Sequence, residues 1–246
     1  MAPVLRTIVL IPSRLASTRL PGKPLASVGG EAMIVQVWRR AMAADVGAVA
    51  VACGDEEILQ TVEAAGGRAV MTNPSHPSGT DRIHEALEIL DPECTFERIV
   101  NLQGDLPNIE AGAIRRVLEP LSNSKTDIAT LAAEITDPKE RSDPNVVKVI
   151  AGLGPGAEVA RALYFTRAVA PAGHGPLWHH IGLYAYKRAA LEKFVALPPS
   201  QLERREKLEQ LRALEAGMRI EVALVKMVPL GVDTLADLER ARQLFK

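Results

Sequence analysis

Short runs of β-branched residues alternate with stretches of helical periodicity through the first half of the chain. This alternation is typical of strand and helix units around a mainly parallel sheet, so we predict an α/β fold. The predicted strands are 7–11, 48–52, 68–71 and 98–102, and the predicted helices are 33–44, 56–65, 80–90 and 109–121. Pro12 is expected to end the first strand, and Asp55 to cap the second helix.

In the second half the strands lie closer together. Predicted strands at 146–150 and 159–165 flank a glycine-rich turn at 152–156, which favours antiparallel additions. After them the pattern predicts a strand at 181–186, a helix near Leu191, a break at Pro198-Pro199, a helix at 202–216, a strand at 220–225 and a terminal helix. We therefore predict a small lobe over 128–218, inserted before the chain returns to the main sheet.

Composition narrows the choice of partners and compartment. The 246 residues carry a net charge of −1, which argues against a nucleic-acid partner, since such a domain would show a basic surplus. Cys53 and Cys94 are far apart and fit neither a disulfide framework nor a zinc site. No run approaches the length of a membrane span. The sequence thus predicts a cytoplasmic protein with local anion sites only.

The segment 11–25 places Arg14, Arg19 and Lys23 between a proline and a glycine, directly after the first predicted strand. Open α/β sheets bind ligands at the carboxyl edge of their strands, and arginine forks and lysine ammonium groups suit phosphate oxygens. This pattern predicts a nucleotide phosphate site. The alternative is a solvated basic loop. The chain has neither the dinucleotide fingerprint after its first strand nor the P-loop pattern anywhere.

Two acidic loops are candidates for metal binding. Asp105 follows the strand 98–102 and could hold a cation such as Mg²⁺, which needs only one or two carboxylates beside substrate phosphates. Alternatively, Asp105 simply closes a turn. Asp233 could supply the second carboxylate. Thr234 and Asp237 resemble a helix capping box, so Asp233 could instead favour the helix dipole, and both interpretations can hold together.

Three further segments offer polar side chains. Residues 78–82 open a helix with hydroxyls and backbone N–H groups suited to an anion or a base edge, although helix capping explains them nearly as well. His180, Gly182 and Tyr184 share one face of a strand, which indicates a pocket or a satisfied core. On the predicted helix 202–216, one side carries Glu206, Glu209 and Gln210 and the other carries Leu208, Leu211 and Leu214, as on an ordinary solvated helix.

Together these segments resemble the 3-deoxy-manno-octulosonate cytidylyltransferases over nearly the whole chain. The resemblance rests on Ile11-Pro12-Ser13-Arg14 through Lys23-Pro24-Leu25, Ser78-Gly79-Thr80-Asp81-Arg82, Asn101-Leu102-Gln103-Gly104-Asp105, His180-Ile181-Gly182-Leu183-Tyr184, Leu208-Glu209-Gln210-Leu211-Arg212 and Val232-Asp233-Thr234. It implies a three-layer nucleotidyltransferase-type sandwich with a mainly parallel mixed sheet and a smaller lobe. It also implies a cytoplasmic homodimer that activates 3-deoxy-manno-octulosonate (Kdo) with CTP for lipopolysaccharide assembly, outside any membrane.

The resemblance also assigns residue roles. The nucleotide would be bound by Arg14, Ser17, Arg19, Lys23, Ser78, Thr80 and Gln103. Mg²⁺ would be bound by Asp105 and Asp233, which act in catalysis with Arg14 and Lys23. The sugar acid would be bound by Gln103, Arg167, His180, Tyr184, Glu209 and Gln210. Within a single domain over 1–246, residues 1–127 would mainly bind nucleotide, 128–218 would form the substrate and dimer lobe, and 219–246 would return to the main sheet.

The chain departs from the family pattern at two places, and one assigned residue has a plain alternative. Leu106 stands where many relatives carry glutamate, so no acid role is assigned there. The segment 172–178 is shorter than the corresponding segment of relatives. Arg167 could also be a surface charge at a strand end.

The expected reaction is in-line attack of the sugar's anomeric hydroxyl on the α-phosphorus of CTP, with pyrophosphate leaving. One competing hypothesis is nucleotidyl transfer to a different sugar acid, such as an 8-amino analogue or a sialic acid, or to a sugar phosphate. The other is a nucleotide-sensing module without turnover.

Overall fold

A computed structural model gives the fold of the protein, and its description covers residues 6–16, 19–154 and 156–245. The chain divides into two compact units, Met1–Arg115 with Pro229–Lys246, and Arg116–Val228. The predicted lobe boundaries, at 127/128 and 218/219, stay a prediction. Among the described residues, no helix combines the length and the apolar character needed to cross a membrane.

Strands and helices alternate along most of the chain. The strands are β1 Thr7–Ser13, β2 Ser27–Val28, β3 Glu31–Ala32, β4 Ala48–Cys53, β5 Ala69–Met71, β6 Arg98–Asn101, β7 Ile128–Glu134, β8 Lys148–Ala151, β9 Val159–Thr166, β10 Trp178–Lys187 and β11 Ile220–Leu224. The helices are α1 Met33–Ala44, α2 Glu56–Ala64, α3 Gly79–Leu90, α4 Ala111–Arg116, α5 Pro138–Ser142, α6 Arg188–Ala196, α7 Gln201–Glu206, α8 Leu211–Glu215 and α9 Leu235–Leu244. Short 3₁₀ helices lie at Lys23–Leu25 and Glu119–Ser122.

The first unit contains the predicted parallel strands, in the order β5-β4-β1-β6. Strand β1 is central to them, and its residues from Ile8 to Ile11 are completely buried, as the continuous apolar run requires. Because the strands are parallel, the loops that follow them emerge at one edge. The α/β prediction is confirmed, and this edge is where the candidate site is built.

The prediction that Pro12 ends the first strand is wrong. Strand β1 continues through Pro12, which pairs with Ala52 of β4. Pairing between β1 and β6 stops at Leu10, and the carbonyl of Leu10 accepts the last bond, from Leu102 N. Since residues 10 and 12 of a strand direct their backbone groups to the same side, the N–H that proline lacks would point where no ladder remains.

The helix predicted over 109–121 is also wrong in its length. Helix α4 ends at Arg116, and a 3₁₀ turn over Glu119–Ser122 follows. Pro120 explains the break, because it cannot donate the N–H that a continuing helix needs and it disfavours helical geometry in the residue before it.

The second unit is mainly antiparallel, with strand order β10-β7-β11-β9-β8. Only the β11 and β7 pair is parallel among its described ladders, and β8 also pairs with the start of β10. Strands β8 and β9 form the predicted hairpin. Strand β7 was not predicted, because its alanine-rich sequence carries little β-branched signal and it is buried on nearly every residue.

The single helix predicted over 202–216 is in fact two short helices, α7 and α8. Lys207 ends α7 with a φ of 56°, in the left-handed region. After this turn, Leu208 and Gln210 are both buried. The two-sided pattern predicted for a continuous helix is therefore wrong, because a single left-handed residue resets which side chains face inward.

Candidate active site

A cavity of about 370 Å³ opens in the first unit at the carboxyl edge of its parallel strands. Loops after β1, β5 and β6 contribute to it, and so does the loop before α9. The polar side chains in its lining belong to Ser13, Arg14, Arg19, Lys23, His76, Ser78, Arg82, Gln103, Asp105 and Asp233. The structure thus brings together most of the residues that the sequence assigned to the nucleotide and the metal.

Asp105 and Asp233 converge on the ammonium group of Lys23. Lys23 Nζ lies 2.8 Å from Asp105 Oδ2 and 3.1 Å from Asp233 Oδ1, and Arg19 Nη2 lies 3.0 Å from Asp233 Oδ2. Burial lowers the pKa of Lys23, but the two carboxylates outweigh it and raise the pKa above its usual 10.5. The ammonium group therefore stays charged at neutral pH.

Backbone contacts explain how residues so distant in sequence meet. Asp105 follows β6, and its carbonyl accepts a hydrogen bond of 3.0 Å from Val232 N. Val232 is completely buried and packs in a cluster with Val28, Met33 and Leu238, which anchors this segment against the first unit. The neighbouring Asp233 side chain is left to face the cavity.

Helix capping, which was the alternative role for Asp233, is performed by the nearby Thr234 and Asp237. The Thr234 hydroxyl accepts from Asp237 N, and the Asp237 carboxylate accepts from Thr234 N, so the two residues form the predicted capping box. Burial acts to raise the pKa of Asp237, but hydrogen bonds from Arg240, Thr234 and the backbone lower it to about 2. Asp233 supplies only its backbone N–H to this network, at 3.2 Å.

Two hydrogen bonds between side chains and backbone groups position the start of the basic segment 11–25. Asp55 lies at the N-cap position of α2 as predicted, but its carboxylate accepts a hydrogen bond of 2.7 Å from Leu15 N rather than capping the helix. Arg14 Nη1 donates to the carbonyl of His76 at 3.4 Å. Ser17, which was assigned to the nucleotide, lies outside the described residues.

The start of α3 forms another wall of the cavity. Ser78 caps the helix, because its hydroxyl accepts from Asp81 N at 3.2 Å while donating to Asp81 Oδ2 at 2.7 Å. Thr80, in the first turn of the helix, is buried, and Gln103 Nε2 donates to Asn101 Oδ1 at 3.2 Å. Ser78 both caps the helix and lines the cavity, so capping does not exclude a role of this segment in ligand binding.

Arg82 is a site residue that the sequence analysis did not assign. It lines the cavity, is only 2% exposed, and donates to Thr72 Oγ1 at 2.6 Å and to the carbonyls of Asn73 and Pro74 at 3.2 and 3.4 Å. Burial and then the nearby Arg14 lower its pKa. Its presence in the motif at 78–82 was the only sequence signal.

His76 and Glu85 were also missed. His76 Nε2 lies 2.5 Å from Glu85 Oε2, and the same oxygen accepts from Asn73 N at 2.8 Å. Burial acts to raise the pKa of Glu85, but the bonds from Asn73 N and His76 outweigh it and lower the pKa. Helix α3 therefore holds the loop 72–76 through both Arg82 and Glu85.

Glycines allow the closest backbone approaches in this cavity. A Cβ on Gly104 would lie 3.0 Å from the carbonyl oxygen of Pro12, and a Cβ on Gly79 would lie 3.1 Å from Pro12 Cγ. A larger residue at either position would push the end of β1 away from the loop after β6 or from the start of α3.

In the second unit, His180 and Tyr184 lie side by side on β10, with ring centroids 5.5 Å apart. The predicted shared face survives a β-bulge between Ile181 and Tyr184. The Thr130 hydroxyl lies 3.0 Å from His180 Nε2 and is also bonded to backbone carbonyls, which only accept. The hydroxyl has one proton, so when it donates to a carbonyl, its oxygen is left to accept from a protonated His180 Nε2.

Burial sets the protonation of both side chains. Burial and then the neighbouring His179 lower the pKa of His180 to about 3. Burial, followed by Tyr186 and Glu209, raises the pKa of Tyr184 well above 10. Both groups are therefore neutral at neutral pH and can exchange hydrogen bonds without changing charge.

The other residues assigned to the sugar acid lie near α7 and α8. Arg167 Nε donates to the carbonyl of Glu206 at 3.0 Å and its Nη1 donates to the carbonyl of Pro144 at 2.9 Å, so both assigned roles of this residue stay predictions. Gln210 is 7% exposed, and its Nε2 is buried without a hydrogen-bond partner among the described residues. Glu209 lies 4.0 Å from Arg212.

No described group of three or more histidine, cysteine or acidic side chains is arranged to hold a metal ion. The Asp105 and Asp233 pair is thus the candidate, and a pair is sufficient for Mg²⁺ when phosphate oxygens complete its shell.

Comparison with known proteins agrees with this geometry. The family model described as Cytidylyltransferase matches residues 8–220. The chain is 64% identical over 240 residues to a 3-deoxy-manno-octulosonate cytidylyltransferase of Methylobacterium radiotolerans, covering 97% of this chain and 96% of the relative. It is 65% identical over 238 residues to the enzyme of that name from Azorhizobium caulinodans, covering 97% and 95%.

A solved structure gives the same result. The structure of CMP:2-keto-3-deoxy-manno-octonic acid synthetase complexed with CTP superposes with a TM-score of 0.89 at 37% identity, covering 97% of this chain and 98% of the other. The predicted resemblance is confirmed, and with it the nucleotidyltransferase type of the fold. The chain belongs to the cytidylyltransferase family, among the 3-deoxy-manno-octulosonate cytidylyltransferases.

Proposed function

We propose that this protein transfers CMP from CTP to Kdo, giving CMP-Kdo and pyrophosphate for lipopolysaccharide biosynthesis. The observation that carries the proposal is the convergence of Asp105 and Asp233 on one ammonium group, in a cavity that Arg14 and Arg19 also line. Two carboxylates among three cations suit a polyphosphate that arrives with a divalent metal ion. The family supplies the reaction class, and the named relatives suggest the substrates.

The nucleotide is assigned to the cavity of the first unit. Arg14, Arg19 and Lys23 bind the triphosphate, since their charges lie together at the edge where the loops emerge. Ser78, Thr80 and Gln103 lie around the cytidine portion. The role of Ser17 stays a prediction.

Mg²⁺ is assigned to Asp105 and Asp233. The pair fits this ion because both carboxylates already reach one cationic centre and both remain partly open to solvent, at 29% and 45% exposure. When bound, the ion would supply positive charge for the phosphoryl oxygens and would lower the pKa of a coordinated hydroxyl.

The sugar acid is assigned to the polar side chains of the second unit. The neutral His180 and Tyr184 suit the sugar hydroxyls, Arg167 suits a carboxylate, and the buried amide of Gln210 has a donor to offer. Glu209 and Gln103 complete the assignment. Residues 1–127 and 128–218 are accordingly proposed as the mainly nucleotide-binding part and the substrate and dimer lobe of one functional domain.

The proposed chemistry is displacement in line. The anomeric hydroxyl of Kdo gives its proton to solvent and its oxygen forms a bond to the α-phosphorus of CTP. The bond from that phosphorus to the bridging oxygen breaks, and pyrophosphate leaves. Arg14 and Lys23 stabilise the negative charge on the transferring and leaving groups, and Arg19 binds the leaving phosphates. No protein nucleophile is needed, so catalysis depends on position and charge.

The test is pyrophosphate release from each of the four nucleoside triphosphates with Kdo, 8-amino-Kdo or sialic acid as acceptor. We expect turnover with CTP and Kdo to exceed every other combination. A higher kcat/KM with another sugar acid would move the protein to a related transferase. CTP binding by calorimetry without product from any acceptor would make it a nucleotide-sensing module.

We further propose that the protein is a cytoplasmic homodimer, as the family resemblance implies. Light scattering after size-exclusion chromatography should give twice the chain mass of 26.5 kDa. A single-chain mass at micromolar concentration would contradict this.

A further inference from the structure

Lys23 is the least exposed member of the charged cluster in the first unit. Its side chain is 16% exposed, against 29% for Asp105, 45% for Asp233 and 64% for Arg19. A lysine this enclosed needs partners, because withdrawing an ammonium group from water is costly unless it is paired. Both carboxylates supply such a partner oxygen.

The same two oxygens are the ones a divalent cation would use. Carboxylates that converge on one centre repel each other unless a positive charge stands between them. In the nucleotide-free protein that charge is the ammonium group of Lys23, held at 2.8 and 3.1 Å. An incoming metal ion and Lys23 therefore compete for one place.

We propose that Lys23 is an internal counter-cation that occupies the metal position between Asp105 and Asp233 until nucleotide and divalent cation arrive together. The inference rests on the proposed function, because it takes the triphosphate as the new partner of Lys23. In the nucleotide-free protein the ammonium group keeps the carboxylates converged and excludes metal. Once the phosphates are bound, Lys23 turns to them and the carboxylates receive the metal ion.

This exchange couples the two ligands. Nucleotide removes the competitor of the metal, so it strengthens metal binding to the protein. By thermodynamic reciprocity, metal strengthens nucleotide binding by the same factor. The cavity therefore binds nucleotide and metal ion together more tightly than it binds either of them alone.

The test is calorimetric titration of nucleotide-free protein with Mn²⁺. We expect Lys23→Met to bind Mn²⁺ at least tenfold more tightly than the unaltered protein, which corresponds to about 1.4 kcal/mol. The tight site should disappear in the double variant Lys23→Met with Asp105→Asn. Equal or weaker Mn²⁺ binding by Lys23→Met would overturn the proposal.

Two matched variants test whether Mn²⁺ affinity depends on where the positive charge lies or only on the loss of one positive charge. Lys193→Met removes the same charge from an exposed position on α6 and should leave Mn²⁺ affinity within about twofold. Lys23→Arg keeps a cation at the site and should bind Mn²⁺ as weakly as the unaltered protein. Tight binding by Lys23→Arg, or an equal gain in Lys193→Met, would contradict the exchange.

Folding is followed by circular dichroism without metal. If Lys23→Met is unfolded under these conditions, micromolar Mn²⁺ should refold it and should fail to refold the double variant. Failure of Mn²⁺ to refold the single variant would count against the proposal.

A second titration adds CTP to both proteins. Chelation of Mn²⁺ by CTP in solution is the same for each, so the ratio of their affinities isolates the contribution of Lys23. We expect CTP to enhance Mn²⁺ binding to the unaltered protein several-fold more than binding to Lys23→Met. The readout is metal binding, so these results stand apart from the acceptor assay that tests the transferase function.

Discussion

Single residues in the acidic loops divide between catalysis and stability. Asp105→Asn preserves shape and removes charge, and we expect kcat to fall by at least about 10²-fold, because the electrostatic stabilisation of a transferring group depends on each member of the site. The measurement is pyrophosphate release at saturating CTP, Kdo and Mg²⁺. Asp137→Asn, the same change at the exposed cap of α5, should leave kcat unchanged. Near-normal turnover of the Asp105 variant with saturating metal would refute this role.

Asp237, in the capping box of α9, is expected to stabilise the folded state. Its pKa is lowered to about 2 from 3.8, so the folded state holds the charged form more strongly than the unfolded state does. That contribution is present above pH 3.8 and is lost as the pH falls through 2. We expect Asp237→Asn to reduce the free energy of unfolding by roughly 1–2 kcal/mol at pH 7, and the difference to vanish near pH 2. Urea unfolding at several pH values measures it, and a difference independent of pH would contradict the assignment.

At the scale of elements, the close approach of the loop after β6 to the end of β1 depends on Gly104. A side chain there meets the Pro12 carbonyl oxygen at 3.0 Å, and we expect Gly104→Ala to lose about 1–3 kcal/mol of stability through overpacking. Gly112, in α4, has open space around it, so Gly112→Ala should gain roughly 0.5–1 kcal/mol. Urea denaturation compares the two. Equal effects of both substitutions would show that the close approach does not matter.

The turn between α7 and α8 gives a prediction of opposite sign. Lys207 has a φ of 56°, a conformation that costs L-residues about 1–2 kcal/mol and glycine almost nothing. We expect Lys207→Gly to raise the free energy of unfolding by roughly 0.5–1 kcal/mol, the remainder being lost to the greater freedom of the unfolded chain. Lys193→Gly, inside α6, should instead destabilise. A loss of stability in Lys207→Gly would mean that its side chain, rather than its backbone, matters there.

For the molecule as a whole, we expect CTP with Mg²⁺ to raise the melting temperature. A ligand at about 100 times its Kd stabilises the folded state by about 2.7 kcal/mol, which corresponds to roughly 5–10 °C for a chain of this size. Differential scanning calorimetry measures the shift. CMP, which lacks the β- and γ-phosphates that we assign to Arg19 and Lys23, should give a smaller shift. An equal shift with CMP would argue against the triphosphate assignment.

The sequence predicted the parallel strands of the first unit and most of the polar residues of its cavity, because β-branched runs and loop cations are local signals. It could not predict that Asp55 binds Leu15 N, that Arg82 supports the loop 72–76, or that Lys23 lies between the two aspartates. Asp55 and Leu15 are far apart along the chain, as are Lys23 and the two aspartates, and the order of the strands decides which of them meet. Arg82 is near the loop 72–76 in sequence, but its contacts depend on the backbone path of that loop. Strand β7 and the turn at Lys207 were missed for a related reason, since tertiary burial overrode weak local propensity.

The carboxylate pair is completed late in synthesis, because its two members lie far apart along the chain. Asp233 reaches Asp105 only after the segment that follows residue 229 has folded onto the earlier part of the first unit, where Val232 and Leu238 pack against Val28 and Met33. A nascent polypeptide still attached to the ribosome by that segment has the basic loop but only half of the acidic pair. Termination of translation before codon 233 would therefore yield a product without Asp233, however well its earlier strands have formed.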